Sequence, residues 1–230
     1  MSDLPAEVWR ALGTVLDPEL DEPITDLDFV ESCTVSPSGE VSVGLRLPTF
    51  FCAPNFSFLM VADAYDAVAA VPGVTRALVT LADHHASDEI NGGVAAHSGF
   101  VGSFEGEAVA ELDELRHTFL SKAALAGQDR LARPFVEEGL GPDDLADLTL
   151  AEVPDSMELR RLRDRRCAIG LPYTDDAPLL IHGDGTRVEA AQVPLHLRRA
   201  RLQRVGIETN GEYCKSLLKV RYSEEAKARA

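Results

Sequence analysis

The chain has 230 residues, 45% of them hydrophobic, which leaves room for one large domain or two small ones. Its net charge of −16 is concentrated in the first hundred residues, where fifteen acidic side chains stand against three arginines, a balance that repels phosphate backbones and argues against nucleic-acid binding there. No run approaches the ~20 apolar residues of a membrane helix and the start, Met1-Ser2-Asp3-Leu4-Pro5, lacks the basic and apolar regions of a signal peptide, so we expect a cytoplasmic protein with no membrane attachment.

Val8, Leu12, Val15 and Leu16 follow Pro5 at helical spacing and predict a helix over 5–16, broken by Asp17-Pro18. Phe29–Val35 reads as a strand, Ser36-Pro37-Ser38-Gly39 as a turn, and the alternation of Val41, Val43, Leu45 and Leu47 with Ser42, Gly44 and Arg46 as a second, half-buried strand pairing with the first. Pro48 ends it. Residues 54–71 predict a helix closed by Pro72-Gly73, and Val74–Leu81 a third strand. Helix, strand, strand, helix, strand makes a small unit with helices against one face of a sheet. The stretch 83–106, rich in Gly, Ser, His and Asp, reads as a loop or linker.

Beyond it, Glu107 to about Arg133 predicts an amphipathic helix interrupted by Pro134. Leu140–Leu145 marks a fresh helix start, Glu158–Arg166 a short basic helix, and Asp184-Gly185 a hairpin turn between Leu179-Leu180-Ile181 and Val188. Residues 194–204 predict a helix and Asn210-Gly211 a turn. The arginines at 160–166 and 198–204 read as solvated faces, with pairing to the acidic N-terminal part as the second option. The expected fold class is α/β in the α+β sense: residues 1–82 as one domain, 83–106 as linker, and 107–230 as a mostly helical region with short β-hairpins.

The first part resembles a known family. Asp17-Pro18-Glu19-Leu20, Ile24-Thr25-Asp26-Leu27, Leu47-Pro48-Thr49-Phe50-Phe51-Cys52 and Val71-Pro72-Gly73-Val74 occur in the order, and at the element boundaries, of the SufT/PaaD-type iron–sulfur assembly domain, also called the MIP-eighteen-like domain. The family usually reads D-L-G where this chain has Asp28, and P-G-C-P where this chain has Phe50-Phe51-Cys52-Ala53-Pro54. The resemblance covers about a third of the chain and is silent on residues 107–230. It implies a maturation factor that binds or relays iron or an iron–sulfur cluster, held stably or in passing, to a client metalloprotein, for which a bacterial oxygenase is one option. It also allows a metal-free adaptor or assembly chaperone.

Within that resemblance Cys52 is the metal-binding candidate. It falls between a strand and a helix N-terminus, whose partial positive charge favours thiolate, the form that ligates iron. Asp17, Glu19, Asp26 and Thr49 are supporting candidates. Their alternative role is turn and cap hydrogen bonding. One cysteine is too few for a cluster, so a second subunit bridging through Cys52, an exogenous thiol, or Cys167 and Cys214 must complete the ligands. His84 and His85, with Asp83, Asp88, Glu89 and His97 close by, carry the composition of a metal site and support a third reading, a metal-dependent enzyme. Cys167, His182, His196 and Cys214 are spaced unlike any zinc finger. No catalytic residue is assigned. P-loop, dinucleotide-binding, G-x-S-x-G and H-E-x-x-H motifs are absent, and we do not expect an enzyme.

Overall fold

The computed structural model describes residues 3–228, with side chains through residue 223; Met1 and Ser2 of the N-terminal segment lie outside them. The chain divides into two units, Met1–Asp113 with Asn210–Ala230, and Glu114–Thr209.

Up to residue 81 the helix and strand order is as expected. Pro5 sits in the first turn of α1 (Leu4–Leu12), which buries Val8 and Leu12. β1 (Val30–Val35) and β2 (Glu40–Leu45) pair antiparallel, Cys33 opposite Val43. α2 (Pro54–Ala69) crosses over and returns the chain to β3 (Arg76–Leu81), parallel to β2, with Val43 beside Val79 and Leu45 beside Leu81. The parallel pairing follows from the helical crossover, which no tight turn could replace. Val41, Val43 and Leu45 point into the core with Val79 and Leu81, against Phe58, Val61, Ala64 and Val68 of α2, while Ser42 and Leu78 face outward. Each fully buried aliphatic side chain here stabilises by roughly 1.5–3 kcal/mol.

The stretch 83–106 is not a loop. It contains α3 (Ser87–Ala96) and α4 (Gly99–Ser103). Ile90 and Val94, one turn apart, sink into the same core. Asn91 clamps the end of β3, its Oδ1 accepting from Leu81 N at 2.7 Å and its Nδ2 donating to Leu81 O at 3.0 Å. A Cβ on Gly93 would stand 1.7 Å from Ser103 Oγ, so the glycine that weakens the helix signal is what lets α4 close on α3. Tertiary packing here overrides weak local propensity.

The second unit is helical. α5 (Asp113–Glu137) runs through Pro134 without stopping there, and α6 (Pro142–Asp147) begins where Asp144 Oδ2 accepts from Gly141 N at 3.3 Å. α7 (Met157–Ala168) is capped by Ser156, whose Oγ accepts from Leu159 N. The hairpin at Asp184-Gly185 is present as one bridge, Ile181 to Arg187. The basic residues are not simply a solvated face. Arg166 is fully buried and donates to the carbonyls of Pro172, Pro178 and Leu179, and Arg204 pairs with Asp129 and Glu208. A buried cation stripped of water needs such partners, and burial lowers the Arg166 pKa to about 10.

α8 (Val193–Ala228) follows a 3-10 turn at Ala190–Gln192. Its residues through Thr209 count with the second unit, and those from Asn210 with the first. The turn expected at Asn210-Gly211 is therefore helix. Gly211 is buried, and a Cβ there would come within 3.1 Å of Glu22 Oε1. The glycine marks a close approach of helix to loop.

Candidate functional site

Cys52 sits at the expected junction. β2 ends at Leu45, the chain runs out through Pro48, and Ala53 in an extended conformation leads into Pro54, the first residue of α2. The thiol is half-buried and free. The two aromatics before it do not entomb it: Phe51 is 77% exposed and Phe50 is 42% exposed. Instead they stack with His85 on the surface, ring centroids 5.1 Å apart for the two phenylalanines and 5.8 Å for Phe51 and His85.

Thr49 Oγ1 lies 3.4 Å from Cys52 Sγ and accepts from Phe51 N at 3.3 Å. The hydroxyl has one proton to give and two lone pairs, so it can bond the sulfur as donor or acceptor while it holds the amide.

Two turns zip together around the cysteine. Ala82 N donates to Leu45 O, and His85 donates to Phe50 O from its backbone N at 3.1 Å and from Nδ1 at 3.0 Å. His84 is buried. Its Nδ1 accepts from Ala86 N at 3.1 Å and its Nε2 donates to Cys52 O at 2.7 Å. These bonds assign the proton to Nε2 and engage both ring nitrogens. Burial holds the His84 pKa below the usual imidazole range, opposed by the bond to Cys52 O and helped by the nearby charges of His85 and Arg221.

The acidic candidates divide. Asp17 is buried, with Oδ1 accepting from Glu19 N at 2.9 Å and Leu20 N at 2.8 Å, so it builds the turn. Burial raises its pKa to about 6 despite those bonds. Glu19 is exposed. Asp26 is exposed as well, and its carboxylate accepts from Thr25 Oγ1 at 3.3 Å, which does not bring it to the thiol. Asp28 has φ +59°, a left-handed conformation that aspartate tolerates better than most residues.

Of the other cysteines, Cys33 packs against the core from β1, and burial raises its thiol pKa. Cys167 is free and exposed in the second unit. His196 Nε2 bonds Gln128 Oε1 at 2.9 Å and His182 Nε2 bonds Gln192 Oε1 at 3.1 Å, and burial lowers the His196 pKa to about 4. Among the described residues no group of three or more His, Cys, Asp and Glu side chains is arranged to hold a metal ion. That includes the segment around His84 and His85 and the set Cys167, His182, His196 and Cys214.

Cys214 is the residue whose position the sequence concealed. It packs against the same first-unit core as Cys52, and its pKa is pushed up to about 11 by burial, with the charges of Asp17, Cys52 and Glu19 adding to the shift. Its signal in the sequence is the small and apolar stripe Gly211, Cys214, Leu218, Tyr222, which a turn at Asn210-Gly211 would have cut.

Beside the start of α2 opens a cleft of about 970 Å³, lined by Ala53, Pro54, His85, Glu89, Phe100 and Phe104.

No significant match to a solved structure is found. The chain is 39% identical over 80 residues to an iron–sulfur cluster carrier protein of Mycobacterium leprae, covering 35% of this chain and 20% of that protein. Proteins of the same name from Mycobacterium bovis and Mycobacterium tuberculosis are 39% identical over 79 residues, covering 34% of this chain and 20% of theirs. The chain thus spans about a fifth of the length of the curated relatives it matches. Residues 5–79, which hold β1, β2, the cysteine loop, α2 and the first part of β3, match the model of the family described as iron–sulfur cluster assembly protein.

Proposed function

We propose that this protein takes part in iron–sulfur cluster assembly, binding iron or a cluster as cargo through Cys52 and passing it to a client metalloprotein. The observation that carries this reading is the Cys52 thiol itself: half-buried yet free, at the start of α2, with a hydroxyl 3.4 Å away, inside the segment that matches the assembly family. A cysteine sulfur is a ligand for iron. In this reading His84 positions the loop rather than touching metal, because both its nitrogens are engaged. The mostly helical second unit recognises the client, with a bacterial oxygenase as one candidate. The protein is not an enzyme in this view, and its cytoplasmic residence follows from a cargo that needs a reducing compartment.

Anaerobic reconstitution with ferrous iron and sulfide tests the reading. Wild type is expected to retain iron and visible absorbance after desalting, and Cys52→Ser to retain neither. Equal absence in both ends it.

The exposed pair Phe50 and Phe51 favours a second reading, a docking surface for a metal-free adaptor. That version predicts client capture that survives Cys52→Ser and fails with Phe51→Ser.

A further inference from the structure

The last stretch of α8 is latched onto the cysteine loop of the first unit. Lys215 Nζ pairs with Glu22 Oε2 at 2.6 Å. Arg221 donates from Nη1 to Leu47 O at 2.9 Å and from Nη2 to Asp83 O at 2.8 Å, and also pairs with the Asp83 carboxylate. Tyr222 OH reaches the same Leu47 carbonyl at 3.5 Å, and the Arg46 guanidinium lies over its ring at 4.6 Å. Gly211, Cys214, Lys215, Leu218, Arg221 and Tyr222 lie three or four residues apart and share one helix face. That face is the docked one: Gly211 and Leu218 are buried, whereas Tyr213 and Val220 beside them are exposed at 64% each.

Cys214 therefore occupies the middle of a docked face. On one side are the contacts to Glu22, in the turn that Asp17 builds. On the other are the contacts to Leu47 and Asp83, which bracket the cysteine loop. Both Cys52 and Cys214 pack against the same core.

We infer that Cys214 is a second thiolate ligand of the Cys52 site, delivered by α8, so that this chain alone offers two sulfur donors to iron or an iron–sulfur cluster. The inference rests on the carrier reading above and deepens it. Each thiol gives up its proton on coordination. Cluster iron takes roughly four ligands in all, so two from this chain leave positions for donors of the client. A site half-filled by its own chain suits a cargo that must leave. The latch residues Lys215 and Arg221 then hold the second donor in place without touching the cargo.

The full-length protein provides the test. Wild type, Cys52→Ser, Cys214→Ser and Cys167→Ser are reconstituted anaerobically with ferrous iron and sulfide, desalted and assayed for iron. Their folding is compared by the fluorescence of Trp9. Cys214→Ser is expected to retain at least threefold less iron than wild type at an unchanged unfolding midpoint, Cys52→Ser only background, and Cys167→Ser the wild-type amount. In parallel, the metal-free wild type is treated with diamide, which accepts the two electrons and two protons of disulfide formation. Non-reducing peptide mapping is expected to show a Cys52–Cys214 link. Wild-type iron in Cys214→Ser overturns the inference and leaves the Cys52 reading standing. A missing disulfide overturns it too, even if Cys214→Ser unfolds. No iron in wild type overturns the carrier reading and this inference with it.

Discussion

His84 Nε2 donates to the carbonyl oxygen of Cys52 at 2.7 Å, a bond between residues 32 positions apart that ties the exit of β3 to the cysteine loop. It acts beside the two bonds from His85 to Phe50 O, while the rings of Phe50 and Phe51 project outward. His84→Ala should cost about 1–3 kcal/mol through the carbonyl and amide left without a partner. Chemical denaturation followed by Trp9 fluorescence measures it. Because the folded pKa lies below that of the unfolded chain, the unfolded state binds the extra proton. His84's contribution is fully present above about pH 6.5 and declines as pH falls below it. His84→Ala should flatten that part of the stability profile, and a profile that keeps its slope would show that His84 is not its source.

The second unit should be acid-sensitive for the same reason. His196 drops to about 4 in the fold, with burial as the main cause and the charges of His182, Arg166 and Arg199 adding to it. Between about pH 6.5 and 4 unfolding takes up a proton, so stability falls by about 2–3 kcal/mol across that window and levels off below it. His196→Gln should reduce the slope, as read by helical circular dichroism in urea at a series of pH values.

Asp17 behaves in the opposite sense. Its folded pKa of about 6 lies above the ordinary aspartate value of 3.8, so its stabilising contribution is complete below about pH 4 and is lost as pH rises through 6. Asp17→Asn keeps an oxygen for the amides of Glu19 and Leu20 and removes the buried charge. It should raise stability at pH 7 by about 1–3 kcal/mol and change nothing at pH 3. Equal effects at both pH values would mean the carboxyl is solvated in solution.

At Asp28 the left-handed backbone makes a conformational prediction. Asp28→Gly should be neutral or stabilise by up to about 0.5 kcal/mol, and Asp28→Val should cost more than about 1 kcal/mol. Urea midpoints of the two variants decide it, and equal midpoints would contradict the backbone assignment.

Much of the first unit was legible in the residues. The alternation through Val41, Val43 and Leu45 marked a strand with one buried face, and Pro54 and Pro72-Gly73 bounded the helix between β2 and β3. The position of Cys52 at the start of that helix followed from the same local signals. Helix α3 was not legible: Gly92-Gly93 and a cluster of polar residues give a loop composition, and only Ile90, Val94 and the Asn91 clamp, acting through distant partners, make it helical.

Local pattern therefore determined the elements, their order and the cysteine between them, because hydrophobic period, proline and turn chemistry act over a few residues. What surrounds that cysteine was decided by folding alone. Asn210-Gly211 has the composition of a turn, yet the helix continues through it because Gly211 admits Glu22 and Leu218 finds the core. Cys214 joins the core that Cys52 packs against, 162 positions away in the chain, only as a consequence of that docking. A contact whose free energy comes from burying surfaces far apart along the chain leaves no periodic trace at either end.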